Sequence, residues 1–133
     1  HWSESDEYRY GIDLFNHGFY WEAHEAWESL WLAAGRRGPT AIWLKALIKL
    51  AAAVVKLREG SSIGALRHAL RVQQLLAELQ AAAPEAADRY CGVEVAIVAE
   101  LTRQVIVVGE RGPLPAPHPL AMLKQCLELD YPS

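Results

Sequence analysis

The stretch that decides the fold reads FYWEAHEAWESLWLAA, residues 19–34. At about 100° per residue, its apolar side chains fall on one broad arc of a helix. Glu22, Glu25 and Ser29 fall on the opposite side. This amphipathic pattern predicts a helix that turns its apolar arc toward a protein core. The residues of that arc are Phe19, Ala23, Ala26, Trp27, Leu30, Trp31 and Ala34.

Glycine, proline and serine divide the rest of the chain into further helices. Ser3 or Ser5 can cap a first helix that reaches Asn16, and Gly18 suits the turn after it. Pro84 suits the first position of a short helical turn. We expect the remaining helices at about residues 40–59, 63–82 and 93–108.

The last of these helices is the least obvious, because residues 93–108 are rich in β-branched side chains that would also suit a strand. Helical spacing nevertheless places an apolar stripe on one face, and a lone strand would have no partner. The tail, residues 109–133, is proline-rich and is expected to be extended over the bundle. The sequence thus predicts one domain, residues 1–133, an all-α, compact multi-helix bundle with antiparallel neighbouring helices.

Composition excludes several classes of protein. The chain has 133 residues, a net charge of −3 and dispersed basic residues, which argue against nucleic-acid binding. The most apolar stretch, residues 42–57, is interrupted by Lys45, Lys49 and Lys56, so a membrane span is not expected. Two unclustered cysteines suit a reducing cytoplasm. Because the chain opens at His1 rather than Met, we expect an N-terminus that has been trimmed or that comes from an added segment; whether the native N-terminus precedes His1 stays open.

His24 and Glu28 are the most unusual polar residues of the chain. They lie one helical turn apart, at one edge of the apolar arc that carries Trp27 and Trp31. Polar groups at such a boundary need partners, because burial without hydrogen bonds is unfavourable. Three interpretations stay open: a packing pair that orients the bundle, polar contacts of a ligand pocket walled by tryptophans, or two ligands of a metal ion.

The metal interpretation has an enzymatic form, a metal-dependent hydrolase-like protein using His24 with Glu25 or Glu28. Its weakness is the motif, because zinc proteases need a second histidine at the position of Glu28. His17 or Asp13 could supply a third ligand, although no spacing requires it. No cofactor is therefore assigned, and a divalent metal is kept only as the alternative.

The helix at residues 40–59 carries a separate stripe of lysines beside its core face. If the two helices are antiparallel, Lys45 lies near the level of Glu28 and Lys49 near the level of Glu25. This arrangement predicts a carboxylate–lysine contact between the helices. A fully solvated lysine stripe remains the other interpretation, since exposed ion pairs contribute only about 0–1 kcal/mol.

Two runs of residues resemble the domain-of-unknown-function 309 family of bacteria and archaea. The first is LFNHGFYWEAHE at residues 14–25, continued by Glu28 and Trp31; the second is WLKALIKLAAA at residues 43–53, continued by KLREG at residues 56–60 and by Gly64-Ala65. The resemblance covers roughly residues 10–80. It implies a compact helical bundle and no particular activity.

This chain departs from the family pattern in its second run. Ala46 and Lys49 stand where the family commonly has Gly and Gln, which favours an acid–base contact here. Val54 and Val55 stand near a position that is often polar or His, which disfavours a metal ligand from that helix.

The sequence favours a non-enzymatic module that binds a partner, itself or a small ligand. The candidate binding residues are His24, Glu28, Trp27, Trp31, Glu25 and Lys49, of which His24 and Glu28 are also the candidate metal ligands. No catalytic constellation, physiological partner or substrate can be identified from the residues.

Overall fold

The computed structural model describes residues 1–112 and 127–129. Within these residues, five α-helices form a bundle: α1 (Asp6–Asn16), α2 (Tyr20–Ala33), α3 (Pro39–Arg58), α4 (Ser62–Ala82) and α5 (Val95–Gly109). Short 3-10 helices occupy Trp2–Glu4 and Pro84–Ala86, and the two-residue strands β1 (Arg89–Tyr90) and β2 (Val93–Glu94) precede α5. The all-α bundle predicted from the sequence is confirmed. The expected path of the tail lies outside the described residues, apart from 109–112 and 127–129.

The helix starts follow from side-chain caps. Ser5 Oγ accepts a hydrogen bond from the Tyr8 backbone N–H at 3.2 Å, and Ser61 Oγ does the same for Gly64 at 3.2 Å. Pro39 opens α3, where its missing N–H has no structural consequence. Short connections then make the neighbouring helices antiparallel.

Helix α3 is the centre of the bundle, because it contacts α2, α4 and α5. Its sequence is apolar on most faces, as expected of a helix covered on several sides. The half-buried Lys45, Lys49 and Lys56 mark the side that is left open. The largest fully buried side chains of the core are Trp27, Trp43, Phe15, Ile12, Leu47, Leu50, Leu57, Leu79, Leu101, Leu127, Val54 and Val72.

Helix α2 buries a narrower stripe than the sequence predicts. Only Tyr20, Ala23 and Trp27 are buried in it, whereas Phe19 precedes the helix and is 54% exposed. Ala34 is also exposed. The expectation that the whole arc faces the core is therefore wrong at both ends. The reason is that α2 lies at the edge of the bundle, against α1 and α3.

A small hairpin corrects the expected start of the last helix. Tyr90 pairs with Val93 across a two-residue turn, Cys91-Gly92, and both turn residues have positive φ, +46° and +76°. Such a turn matches the twist of two antiparallel strands. Val93 therefore has a strand partner after all, and the helix begins at Val95.

Tyr8 connects three parts of this bundle through one buried hydroxyl. It donates a hydrogen bond to the Cys91 carbonyl oxygen at 2.7 Å and accepts one from Trp43 Nε1 at 3.1 Å. Burial raises the pKa of the Tyr8 phenol far above its ordinary value, so the hydroxyl stays protonated and can donate. Helix α1, helix α3 and the hairpin turn are thereby tied to one atom.

The Tyr8→Phe variant tests this connection. It leaves the Trp43 indole N–H and the Cys91 carbonyl without their partner, so we expect the free energy of unfolding to fall by about 1–3 kcal/mol. Urea denaturation measures the change. Tyr10→Phe is the matched control, because Tyr10 is on the same helix and is 60% exposed; it should change stability by less than about 0.5 kcal/mol. Equal effects of the two variants would show that the hydroxyl is not a structural link.

Candidate functional site

A cleft opens where α2, α3 and α4 leave the lysine side of α3 uncovered. It holds about 620 Å³. Helix α2 contributes Trp21, His24 and Glu28 to its walls, and α4 contributes His68. The other lining residues come from α3 and from Glu59, which directly follows it; those from α3 are Lys45, Ile48, Lys49, Ala52, Val55 and Lys56. Apolar side chains thus form part of the surface, and three lysines, two glutamates and two histidines surround them.

His24 is held in a defined orientation inside this cleft. Its ring stacks on the Trp21 indole, with centroids 5.0 Å apart and planes inclined by 16°. Its Nε2 lies 3.3 Å from Glu28 Oε2, as the one-turn spacing predicts. The imidazole side chain is 19% exposed and the Glu28 side chain is 47% exposed. His24 is therefore the more buried member of the pair, and the Glu28 carboxylate is more open to the cleft.

The other end of the His24 ring is unsatisfied. Nδ1 is buried and has no hydrogen-bond partner among the residues that the structure describes. A buried polar atom of this kind is uncommon in native proteins and calls for an explanation, since leaving it unpaired costs about 1–3 kcal/mol.

Lys45 occupies the end of the cleft beside Glu28. Its Nζ lies 4.1 Å from the centroid of the Trp31 ring, a cation–π contact that fixes the side chain. Burial, followed by the positive charge of Lys49, lowers the pKa of Lys45, and the charge of Glu28 opposes this shift. Within the described part of the chain, no carboxylate lies within 4 Å of Lys45 or Lys49. The predicted direct carboxylate–lysine contact is therefore wrong: Glu28 lies against His24, and Lys45 lies on an indole.

Lys56 and Glu59 form an ion pair at 3.2 Å near the opposite end. The same end is fixed to the α1–α2 turn by Arg58, which donates to the Gly18 carbonyl at 2.8 Å and lies 4.7 Å over the Tyr20 ring. These contacts set where Trp21 stands at the edge of the cleft.

The structure separates the six residues singled out in the sequence. His24, Glu28 and Lys49 come together in the cleft, and Trp31 lies behind Lys45. Trp27 is in the core with no exposed surface, so it cannot touch a ligand there. Glu25 is exposed on the outer side, in a shallow depression that adjoins the cleft.

Trp21 and His68 line the cleft but were not among those six. Trp21 lies outside the apolar arc of α2, so the helical pattern predicts no role for it. His68 lies at the margin of the apolar face of α4, which favours a packing role. The signal that could have found His68 is its position opposite the lysine stripe, which requires the α3–α4 pairing to be known.

The metal alternative gains no third ligand. In the described ranges, 1–112 and 127–129, no three His, Cys, Asp or Glu side chains come together in a way that could hold an ion. His17, one of the suggested ligands, lies within hydrogen-bond distance of the Asp13 carbonyl oxygen through Nδ1, at 2.8 Å.

None of the helices described is long and apolar enough to cross a membrane.

With the geometry in place, comparison with known families adds one result. Residues 8–68 match the family model described as Domain of unknown function (DUF309). The chain resembles this family. The DUF309 match runs from α1 into α4 and includes every residue that lines the cleft, from Trp21 to His68. The family description carries no activity, and comparison with curated proteins gives no match.

The titration of His68 is the most direct test of the electrostatics of the cleft. Burial, followed by the positive charges of Lys49 and Lys56 and then of His24, lowers the pKa of His68. A base with a lower pKa in the folded state binds fewer protons when folded, so stability falls as pH decreases through the unfolded pKa of about 6.5.

We expect His68→Gln to lose less stability than the wild type between about pH 7.5 and about pH 5. Urea denaturation at each pH measures this loss, and the ring proton shifts of His68 in NMR give its pKa directly. His17→Gln is the control, because His17 is exposed; it should keep the wild-type pH dependence. A His68 pKa at or above the ordinary value would show that burial and the neighbouring positive charges do not lower it.

Proposed function

We propose that this protein is a non-enzymatic helical module that binds a small ligand in the cleft between α2, α3 and α4. The observation that carries the proposal is the state of the polar groups there. His24 Nδ1 has no hydrogen-bond partner, and Lys45 and Lys49 have no carboxylate within 4 Å, among the described residues. A purely structural role does not explain why these polar groups lie in one cleft without forming hydrogen bonds or ion pairs with one another.

The dimensions of the cleft favour a small molecule over a flat protein partner. Its volume of about 620 Å³ is within the range of small-molecule sites, about 300–1,000 Å³. The walls combine an apolar strip, formed by Ile48, Ala52 and Val55, with a few polar groups that could orient a ligand. That combination is typical of ligand pockets.

The composition of the walls favours binding without catalysis. No Ser, Thr, Cys or Tyr is found among the described residues that line the cleft, so no hydroxyl or thiol nucleophile stands beside the His24–Glu28 pair. Those two residues are proposed as ligand contacts, together with Lys49. Trp31 is proposed as the support of Lys45.

Two further parts of the proposal come from the sequence. The cytoplasm is the proposed compartment, consistent with the free thiol of Cys91, which is half-buried. Self-association stays a prediction; the exposed Phe19 and Trp21 are the side chains on which sedimentation analysis of variants would concentrate.

Filling the cleft tests ligand binding directly. Ala52 lines the cleft and is partly exposed, so Ala52→Phe places an aromatic ring in the proposed site. The probe is N-phenyl-1-naphthylamine, an uncharged dye whose fluorescence rises in apolar surroundings. We expect the wild type to bind it and Ala52→Phe to weaken the binding at least about tenfold, which corresponds to about 1.4 kcal/mol.

Two variants keep this experiment interpretable. Ala77→Phe adds the same ring at an exposed position of α4 and should bind the dye as the wild type does. Ala52→Leu fills the cleft less and should have an intermediate effect, with thermal unfolding confirming that each variant is folded. Equal dye binding by Ala52→Phe and Ala77→Phe would overturn the proposal.

A further inference from the structure

The charges of the cleft oppose the charge of the whole chain. The protein carries a net charge of −3, yet the residues that line the cleft include three lysines and two glutamates, a formal charge of 3 − 2 = +1 without the histidines. Lys56 is neutralised by Glu59 at 3.2 Å. The excess positive charge is therefore concentrated at Lys45 and Lys49, on successive turns of α3.

The positive charge of Lys49 contributes to lowered pKa values on two different helices. The pKa of Lys45 on α3 is lowered by burial and then by Lys49, with smaller contributions from Arg71 and Arg36. The pKa of His68 on α4 is lowered by burial and then by Lys49 and Lys56. Like charges one turn apart repel each other, and they do so more strongly where walls of low dielectric constant exclude water. An anion between them would convert this repulsion into attraction.

The cleft is also asymmetric along its length. Glu28 and Lys45 affect each other electrostatically at one end, whereas Trp21, Val55 and Glu59 share a second, shallower depression beyond the other end. Lys49 and Val55 are six positions apart on α3, which at 1.5 Å per residue is roughly 9 Å. That length accommodates a two-ring aromatic group with an anionic substituent.

The exposed face of Trp21 supplies a surface for such a ring. One face of this indole stacks on His24, and the side chain as a whole is 55% exposed. Aromatic side chains that are rigid on one side and open on the other are favourable stacking partners for planar ligands. Along α3, Ala52 lies between Lys49 and Val55, which shares the second depression with Trp21, and Ile48 lies one turn before Ala52 beside Lys49.

We infer that the ligand is a small planar aromatic molecule with an oxyanion group, the oxyanion bound by Lys45 and Lys49 and the ring placed along Ile48 and Ala52 toward Trp21. The inference rests on the proposed ligand-binding function and specifies its chemistry. Phosphate, sulfonate and carboxylate share the oxyanion chemistry that lysine ammonium groups bind.

A matched pair of dyes isolates the oxyanion. 1-Anilinonaphthalene-8-sulfonate has the same ring system as N-phenyl-1-naphthylamine and differs by one sulfonate. We expect the wild type to bind the sulfonate at least about tenfold more tightly than the uncharged dye. The double variant Lys45→Met, Lys49→Met should bind the two dyes within about threefold of each other.

The control double variant is Arg37→Met, Arg67→Met, which removes two exposed positive charges outside the cleft. It should keep the tenfold preference of the wild type for the sulfonate over the uncharged dye, because it removes two positive charges outside the cleft and leaves Lys45 and Lys49 in place. Thermal unfolding and near-ultraviolet circular dichroism confirm that bound dye reports a folded protein. If Lys45→Met, Lys49→Met does not fold, Lys49→Gln alone should still reduce the preference several-fold.

Competition separates the anion classes. 1-Naphthyl phosphate and 1-naphthoate are titrated against the bound sulfonate dye at constant ionic strength, and displacement by either supports the inference. The stronger competitor identifies the class. Displacement by neither would overturn it, as would equal loss of preference in the two double variants.

The outcomes distinguish this inference from the proposed function. If the uncharged dye binds, Ala52→Phe blocks it and the sulfonate gives no advantage, the cleft binds ligands but not anions. If neither dye responds to Ala52→Phe, both statements fail.

A pH titration adds a readout that a purely structural role of the lysines would not affect. The sulfonate remains charged at all pH values used, so only protein groups titrate. A bound anion favours the protonated form of His68, whose charged neighbours are Lys49, Lys56 and His24. Binding should therefore tighten as the pH falls from about 8 to about 5.5, and His68→Gln should reduce this dependence. A flat profile in the wild type would count against an anion at this position.

Discussion

The fold depends on one close contact, between the Trp27 indole and Gly11. A Cβ atom at position 11 would lie 2.2 Å from Trp27 Nε1, so any side chain larger than hydrogen excludes the indole from its site. The same Nε1 donates to the Tyr8 carbonyl oxygen at 3.4 Å. Helix α1 carries a glycine in its interior, despite a propensity cost of about 1 kcal/mol relative to Ala, because the glycine lets α2 approach this closely.

That contact also sets the rotation of α2 and thus the site. With Trp27 directed into the core, His24 is displaced by about 60° around the helix and Glu28 by about 100°. Both side chains consequently lie on the flank that faces α3 and the lysines. Had α2 turned Trp31 inward instead, Glu28 would have been buried and Lys45 would have lost its indole. The chemistry of the cleft is therefore a consequence of how the buried tryptophan of α2, Trp27, packs.

Much of this arrangement could be predicted because the signals are local. Ser5, Gly18, Pro39 and Ser61 define helix ends through backbone geometry that involves only their neighbours in sequence, and the His24–Glu28 pair follows from one helical turn. The extent of the buried arc on α2 could not be predicted, because it depends on how many helices cover it.

Features that join distant segments could not be predicted either, because they too depend on how separate elements pack. Val93 pairs with Tyr90 only because the Cys91-Gly92 turn adopts positive φ at both residues, which a cysteine seldom favours. His68 belongs to the cleft because α4 lies beside α3, a fact absent from the sequence of α4 alone. Lys45 was correctly placed near Glu28, but its preference for the Trp31 indole over a carboxylate depends on side-chain directions that a helical wheel does not contain.

One contact closes the bundle across nearly the whole chain. The Asn16 side chain donates through Nδ2 to the Leu127 carbonyl at 2.7 Å and accepts through Oδ1 from the Leu127 backbone N–H at 2.8 Å, and the Leu127 side chain is in the core. The Asn16 side chain thus pairs with both backbone groups of Leu127, as a neighbouring strand would, although the two residues are 111 positions apart. While the protein is being synthesised, α1 to α5 can pack as they emerge from the ribosome, but Asn16 at the C-terminal end of α1 finds this partner only once Leu127 has emerged. The C-terminal end of α1 is consequently completed only after the four helices that follow it have been made, so the order of folding differs from the order of the helices along the chain.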